Sequence, residues 1–409
     1  MKALGRLSHL FDKLDKKKLW ILWAANILWI VLLFSYICCL SSYAVPEKAS
    51  WESNIPALSP LDCISAVLME AETGRVLYEQ NADEALPPAS VTKVMTLLLV
   101  MEALEKGNIS LDQMLTTSDN AASMGGSQIF LEVGEQMSVE DLLKSVIISS
   151  ANDAAVVLAE AIAGSEESFV AMMNTRAAEL GMNNTHFENT NGLDDTVTNH
   201  VTSARDIAIM SRELIAHEKI LEYSSIWMDT VRNGEFGLTN TNRLVRFYNG
   251  ATGLKTGSTS KAKFCISATA KRDGMHLIAV IMGAPTRDVR NAEAAKLLDW
   301  GFANYSLYSY EPCDLGEVEL LGSKIESINC KTNGISILVP KGSAGKVSAE
   351  VNLPENISAP VGEGERVGNI VFSLGGETIG EADIITSSSA ERITFAELLF
   401  IMLQRFILW

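Results

Sequence analysis

The sequence predicts an α+β protein: an antiparallel sheet with an inserted helical cluster, followed by a small all-β domain and a C-terminal amphipathic helix. Two observations set this class. Strand-like runs occur at both ends of the segment 61–305, and helical periodicity is confined between them. Beyond it, short apolar runs alternate with glycine turns until helical spacing returns at the tail.

Ser65 to Glu70 and Arg75 to Glu79 bracket Glu72-Thr73-Gly74 and predict a hairpin. Val91 to Lys106 carries Val94, Leu97, Leu98, Met101 and Leu104 at helical spacing and stops at Gly107. Further helices are predicted over Val139 to Ile148, Asp153 to Ala163 and Phe169 to Leu180. A long Asn-, Thr- and Asp-rich stretch, 181–201, has the length of a functional loop, and helix resumes over Ala204 to Ala216. Phe264 to Lys271 and His276 to Met282 flank the turn Arg272-Asp273-Gly274, and a helix follows near Asn291 to Phe302. From 306 the glycines Gly362, Gly364, Gly368, Gly375, Gly376 and Gly380 punctuate short strands. In the tail, Glu397, Gln404 and Arg405 share a narrow sector of a helix that is otherwise Phe395, Leu398, Leu399, Met402 and Phe406, a pattern that suits a membrane interface.

With 47% hydrophobic residues over 409 positions the chain can bury two cores, and its formal charge of −17 excludes a phosphate-binding groove, so no nucleic-acid partner is expected. Six cysteines without a Cys-x-x-Cys pair, and five histidines without ligand spacing, predict no metal site. Cys313 and Cys330 leave a disulfide open. Residues 1–18 carry a net +4, and Leu19 to Leu40 is a 22-residue run without a formal charge, ending near Ser42 and Ala44. That pattern reads as a signal peptide cleaved after Ala44 or as an N-terminal membrane segment, and either one exports the rest. The expected organisation is 1–44 targeting or membrane segment, 45–60 linker, 61–305 catalytic domain, 306–390 β domain and 391–409 anchoring helix.

Three short patterns carry chemistry. Ser90-Val91-Thr92-Lys93 places a serine at a helix start with a lysine three residues on, and a neutral lysine in reach of a hydroxyl can take its proton. The same Ser-x-x-Lys text recurs at Ser258 to Lys261 and Ser343 to Lys346, but neither opens a strong helix. Ser150-Ala151-Asn152 lies between two apolar helices; its rival, Ser118-Asp119-Asn120, belongs to a polar connector and offers less rigidity. Lys255-Thr256-Gly257 combines a cation, a hydroxyl and a residue without side chain on one strand, which suits docking an extended peptide by its backbone and carboxylate.

In order and separation this set resembles the penicillin-binding proteins and serine β-lactamases. More narrowly, the chain is similar to the low-molecular-weight serine-type D-alanyl-D-alanine carboxypeptidases of peptidase family S11. The shared text includes Pro88-Ala89-Ser90-Val91-Thr92-Lys93, Gly126-Ser127-Gln128, Ser150-Ala151-Asn152-Asp153, Asn191-Gly192-Leu193-Asp194, Asn240-Thr241-Asn242-Arg243 and Gly253-Leu254-Lys255-Thr256-Gly257. The resemblance implies a β-lactamase/transpeptidase-like domain and a cell-envelope enzyme that removes the terminal D-Ala of peptidoglycan stem peptides through a serine ester. It implies no cofactor, covalent binding of β-lactam antibiotics, and a place on the outer face of the cytoplasmic membrane. Ser90 becomes the nucleophile, Lys93 its base and Ser150 a proton relay, with Asn152 holding the substrate amide. Lys255 and Thr256 meet the substrate carboxylate, Gly257 lies between them and Ser258, and the backbone N–H groups of Ser90 and Ser258 form an oxyanion hole. Arg290, placed just before the last helix, either meets the terminal carboxylate or makes a helix-start salt bridge. Ser258 and Thr252 stand where relatives often have His and Asp.

Two other functions compete. A secreted β-lactamase needs a glutamate-activated water, and Glu188 lies in about the right loop but in Glu188-Asn189-Thr190-Asn191-Gly192, not Glu-x-x-Leu-Asn. An inactive envelope scaffold would not need the intact set of nucleophile, base and Lys-Thr-Gly.

Overall fold

The computed structural model describes residues 55–193 and 197–407. The predicted targeting segment 1–44 lies outside the described residues. In chain order the first part runs β1 (Ser65–Glu70), β2 (Val76–Gln80), α1 (Lys93–Glu105), β3 (Met114–Thr116), α2 (Asp119–Ala122), β4 (Gln136–Ser138), α3 (Val139–Lys144), α4 (Asn152–Ala163) and α5 (Glu166–Glu179). It continues with α6 (Ala204–Ala216), α7 (Lys219–Ser224), β5 (Met228–Val231), β6 (Phe236–Thr239), α8 (Leu244–Phe247), β7 (Ala251–Thr259), β8 (Lys263–Arg272), β9 (Met275–Ala284) and α9 (Arg287–Asn304).

The main sheet has the order β2-β1-β9-β8-β7, antiparallel throughout, so the first two and last three of its strands join and the helices between them form the inserted cluster. Both faces are covered. Val67, Met69, Ile278, Val280 and Met282 face the helical cluster and share its core. The alternate residues Leu68 and Leu277 point to α9, close enough to Gly301 that a Cβ there would meet them at 2.9 and 2.6 Å. α1 runs through the centre of the cluster. From Val94 to Met101 every residue is buried, so the expected amphipathic helix is apolar all round, as a helix enclosed on every side must be.

The register places the chemistry. Lys255 on β7 is opposite Ser267, Ser267 opposite Val280, and Val280 opposite Val67. Lys255 therefore shares the face that looks into the helical cluster, and because β7 is an edge strand its other side is open.

Several boundaries differ from expectation. The helix at 91 opens as a 3-10 turn, Ala89–Thr92, before α1 begins. The predicted helix over 139–148 passes into a π-helical turn, Ser145–Ser149. α9 starts at Arg287, because Thr286 caps it by accepting a hydrogen bond from Val289 N–H at 3.2 Å. Arg290 accordingly lies inside the first turn of α9 and not ahead of the helix.

The second part contains β10 (Tyr305–Tyr310), β11 (Cys313–Leu321), β12 (Ser327–Thr332), β13 (Ile335–Pro340), β14 (Ser348–Asn352), β15 (Asn356–Ser358), β16 (Arg366–Leu374), β17 (Glu377–Thr386) and the tail helix α10 (Phe395–Ile407). Six of these strands form one sheet and β10 pairs with β13, around a core that includes Val318, Val339, Ile370 and Phe372. Cys313 and Cys330 are free thiols; in the β11–β12 ladder they face Thr332 and Gly316, so the disulfide left open by their spacing is not made.

Candidate active site

The turn that carries Ser90 is shaped from below. Ala89 has a φ of 49°, in the left-handed region that side chains rarely adopt. Thr92 Oγ1 donates to Ala89 O at 2.8 Å and lies 2.7 Å from His200 Nε2. Glu188 N–H donates to His200 Nδ1 at 3.0 Å, so the ring proton belongs on Nε2 and is donated to Thr92. Gly192 reinforces this contact: its φ is +83° and a Cβ would stand 1.9 Å from Ala89 O. The polar stretch 181–201 thus contributes a brace beneath the nucleophile's turn.

Lys93 is fully buried, and its Nζ lies 3.1 Å from Ser90 Oγ, 2.5 Å from Asn152 Oδ1 and 2.9 Å from Asn191 O. Asn152 Nδ2 donates to Gly125 O at 2.7 Å, which fixes the amide so that Oδ1 faces Lys93. Burial, and after it the charge of Lys255, pushes the Lys93 ammonium well below its ordinary pKa, against a smaller opposing pull from Asp153. In its neutral form the amine can donate to its two carbonyl partners and still keep a lone pair for Ser90. Of the three partners Ser90 alone has a proton to give.

Ser150 follows the π-helical turn with φ 67° and ψ 30°, and this left-handed kink turns its hydroxyl to the sheet. Lys255 Nζ donates to Ser150 Oγ at 2.8 Å and to Thr256 O at 2.9 Å. Burial, then Arg290, pushes the Lys255 pKa down to about 7. Thr256 Oγ1 donates to Thr241 Oγ1 at 2.8 Å. At Gly257 a Cβ would lie 2.8 Å from both Pro88 O and Ser90 N, so only glycine lets β7 press against the nucleophile's turn. Asp153 accepts Ile129 N–H and Leu131 N–H, both at 3.1 Å, and so holds the segment bearing Ser127 against α4.

These residues border a cleft of about 610 Å³ whose lining includes Ser90, Ser127, Ser150, Thr241, Thr256 and Ser258. Arg290 lines it too, 3% exposed, with Nε and Nη2 on Asn291 Oδ1 at 3.1 and 2.9 Å. Among the described residues no carboxylate pairs with it.

The structure thus brings Ser90, Lys93, Ser150, Asn152, Lys255, Thr256 and Gly257 together, with Ser258 and Arg290 on the same cleft. It leaves Ser118 elsewhere, capping α2 by accepting Ala121 N–H at 3.0 Å, while Asn120 donates to Glu160 at 3.0 Å. Glu188 is turned to its own loop, accepting Thr198 N–H and Asn199 N–H at 2.8 and 3.1 Å. Four contributors had no assigned role in the sequence reading: Asn191 O, Gly125 O, Thr241 and His200. Two of them are backbone carbonyls, which leave no trace in residue identity.

Comparison with known proteins agrees with this geometry. Residues 53–286 match the D-alanyl-D-alanine carboxypeptidase family, and 316–392 match the C-terminal domain of penicillin-binding protein 5. The D-alanyl-D-alanine carboxypeptidase DacF of Bacillus subtilis is 45% identical over 81% of this chain and 86% of its own length. DacC of Escherichia coli, of the same description, is 36% identical over 85% of this chain and 88% of its own. The crystal structure of penicillin-binding protein 5 from Haemophilus influenzae superposes with a TM-score of 0.73 at 32% identity, covering 82% of this chain and all of that one. A penicillin-binding protein from Listeria monocytogenes, solved in an ampicillin-bound form, is 34% identical with a TM-score of 0.55 over 60% of this chain and all of its own. A sheet closed by its two ends around a helical cluster, a β domain after it in the chain, and a cleft serine beside a buried lysine agree with this family match, and the chain belongs to the S11 family of D-alanyl-D-alanine carboxypeptidases, serine-type peptide hydrolases.

Proposed function

We propose that Ser90 attacks the carbonyl between the last two residues of a D-Ala-D-Ala-ended peptidoglycan stem peptide, with Lys93 as its base. The observation that carries this is the Lys93 amine, buried and held by two carbonyls with its remaining direction on Ser90 Oγ at 3.1 Å. The backbone N–H groups of Ser90 and Ser258 receive the oxyanion, a role supported by the tight packing of Gly257 on Ser90 N. Asn152 holds the substrate amide. Ser150, bonded to Lys255, passes the proton to the leaving amine, and water then hydrolyses the Ser90 ester. The open edge of β7 offers the peptide a strand to pair with. Lys255, Thr256 and Arg290 receive the terminal carboxylate. Arg290 suits this part because it is a buried cation on the cleft wall, and among the described residues no carboxylate forms the alternative helix-start salt bridge with it. β-Lactams, which mimic the same peptide end, acylate the same serine.

In this reading residues 61–305 perform the chemistry, and 306–390 separate them from a membrane on which 391–409 lie. α10 exposes Phe395 at 81%, with Leu398, Leu399, Phe400, Met402 and Leu403 also exposed, which supports burial in a lipid interface over docking on the β domain. Thirteen residues are too few to cross a bilayer, and among the described residues no helix is long and apolar enough to do so. The enzyme then works on the outer face of the cytoplasmic membrane, in the cell envelope. The test is D-Ala release from a D-Ala-D-Ala-ended peptide by the wild type and by Ser90→Ala. The proposal expects release only from the wild type; equal release by both would overturn it.

A further inference from the structure

Two more arginines, Arg243 and Arg287, line the cleft beside Arg290. Arg287 and Arg290 are three residues apart on α9 and so share a face of it, while Arg243 follows the segment in which Asn242 donates to Gly253 O of β7 at 2.8 Å. Burial, then Arg287 and more weakly Arg243, bring the Arg290 pKa down to about 10. The acid that offsets them most directly is Asp288, 88% exposed and 3.9 Å from Arg243.

The cost of this charge falls chiefly on Arg290, which is buried, while Arg287 is exposed and Arg243 is 53% exposed, so both reach solvent at the cleft. Arg287 and Arg290 occupy the first turn of α9, where the helix dipole favours acids and opposes cations. The chain as a whole carries −17, so these positions do not reflect a generally basic surface. Three arginines lining one cleft, two of them against the helix dipole and one already suited to a carboxylate, describe a place for more than one anionic oxygen pair.

We propose that Arg243 and Arg287 form a second anion subsite that receives an additional carboxylate on the leaving residue, so that the enzyme accepts acidic D-residues after the scissile bond. The inference rests on the carboxylate role of Arg290, which places the leaving residue between Ser90 and the arginines. The chemistry is unchanged. The amide C–N bond breaks as Ser90 Oγ bonds the carbonyl carbon, the serine proton ends on the leaving amine, and water later returns a proton to Ser90 and a hydroxyl to the carbonyl.

The test uses three N-acylated peptides of common sequence ending in D-Ala-D-Ala, D-Ala-D-Glu or D-Ala-D-Gln, with kcat/KM measured for the full-length wild type and R243Q/R287Q. D-Glu and D-Gln are matched in size, so their ratio reads charge alone. The wild type is expected to favour D-Glu over D-Gln by about tenfold, and the variant to bring that ratio to about one while D-Ala release stays within about threefold. Equal treatment of D-Glu and D-Gln by the wild type overturns the subsite, as does a variant that loses all three peptides together. A wild type that releases no D-Ala from the first peptide overturns instead the carboxypeptidase reading beneath it.

Discussion

Two buried lysines in one cleft, Lys93 on Ser90 and Lys255 on Ser150, cannot both carry full charge at low cost, and the site resolves this by making them unequal. Lys93 has two carbonyls and a hydroxyl about it, and burial and then Lys255 push its pKa well below the ordinary value. Lys255, on Ser150 and Thr256 O, keeps a pKa of about 7. The arrangement is paid for in stability. The Lys255 pKa in the fold lies below its unfolded value of about 10.4, so between about pH 7 and pH 10 the unfolded chain binds more protons and stability rises with pH. Lys255→Met keeps the length of the side chain and removes the titration. Its midpoint in urea at pH 7 should correspond to roughly 1–3 kcal/mol more stability than the wild type, and its stability should change less between pH 7 and pH 9. A variant as pH-dependent as the wild type would show that the burial of this lysine is not what the fold bears.

At the scale of elements, position comes from how one element ends and the next begins. Ser150 reaches the sheet because a π-helical turn and a left-handed residue separate α3 from α4; Ser118 caps a short helix at the surface. Ser150→Ala should therefore slow D-Ala release by at least about 100-fold, and Ser118→Ala should leave it within about twofold, the usual range for a relay group against a surface cap. Equal, mild effects in a side-by-side rate assay would contradict the placement. The sheet is legible in β1, β8 and β9, whose residues are largely buried apolar runs, and α6 is legible to its ends because Ser203 caps it and its apolar spacing is regular. The two-stranded pairs β3–β4 and β5–β6 are not legible: their strands have three or four residues, several exposed, too few to establish an alternation. In the site, side-chain identities announced themselves and backbone did not. Asn191 O and Gly125 O are placed by loop conformation, and the one available signal was the unusual length of the polar stretch 181–201.

For the whole molecule, an active domain, a β domain and an apolar helix follow one another along the chain, and the order has a physical sense if the last part lies on lipid. α10 is joined to the β domain through Ile393 N–H on Gly322 O at 2.8 Å and an ion pair between Lys324 and Glu397 at 2.6 Å, while its apolar side chains stay exposed. Deleting 393–409 from a form beginning after Ala44 should move the protein from the membrane pellet to the soluble fraction on cell fractionation. A truncated protein that still pellets completely would contradict the anchor. The central claim, a serine activated by a neutral buried lysine, is tested most directly by the penicillin acylation rate of Lys93→Arg. Arginine carries a fixed positive charge and cannot act as a base, so a loss of about 100-fold to 10,000-fold is predicted, and a near-normal rate would show that Lys93 serves as a cation and not as the base.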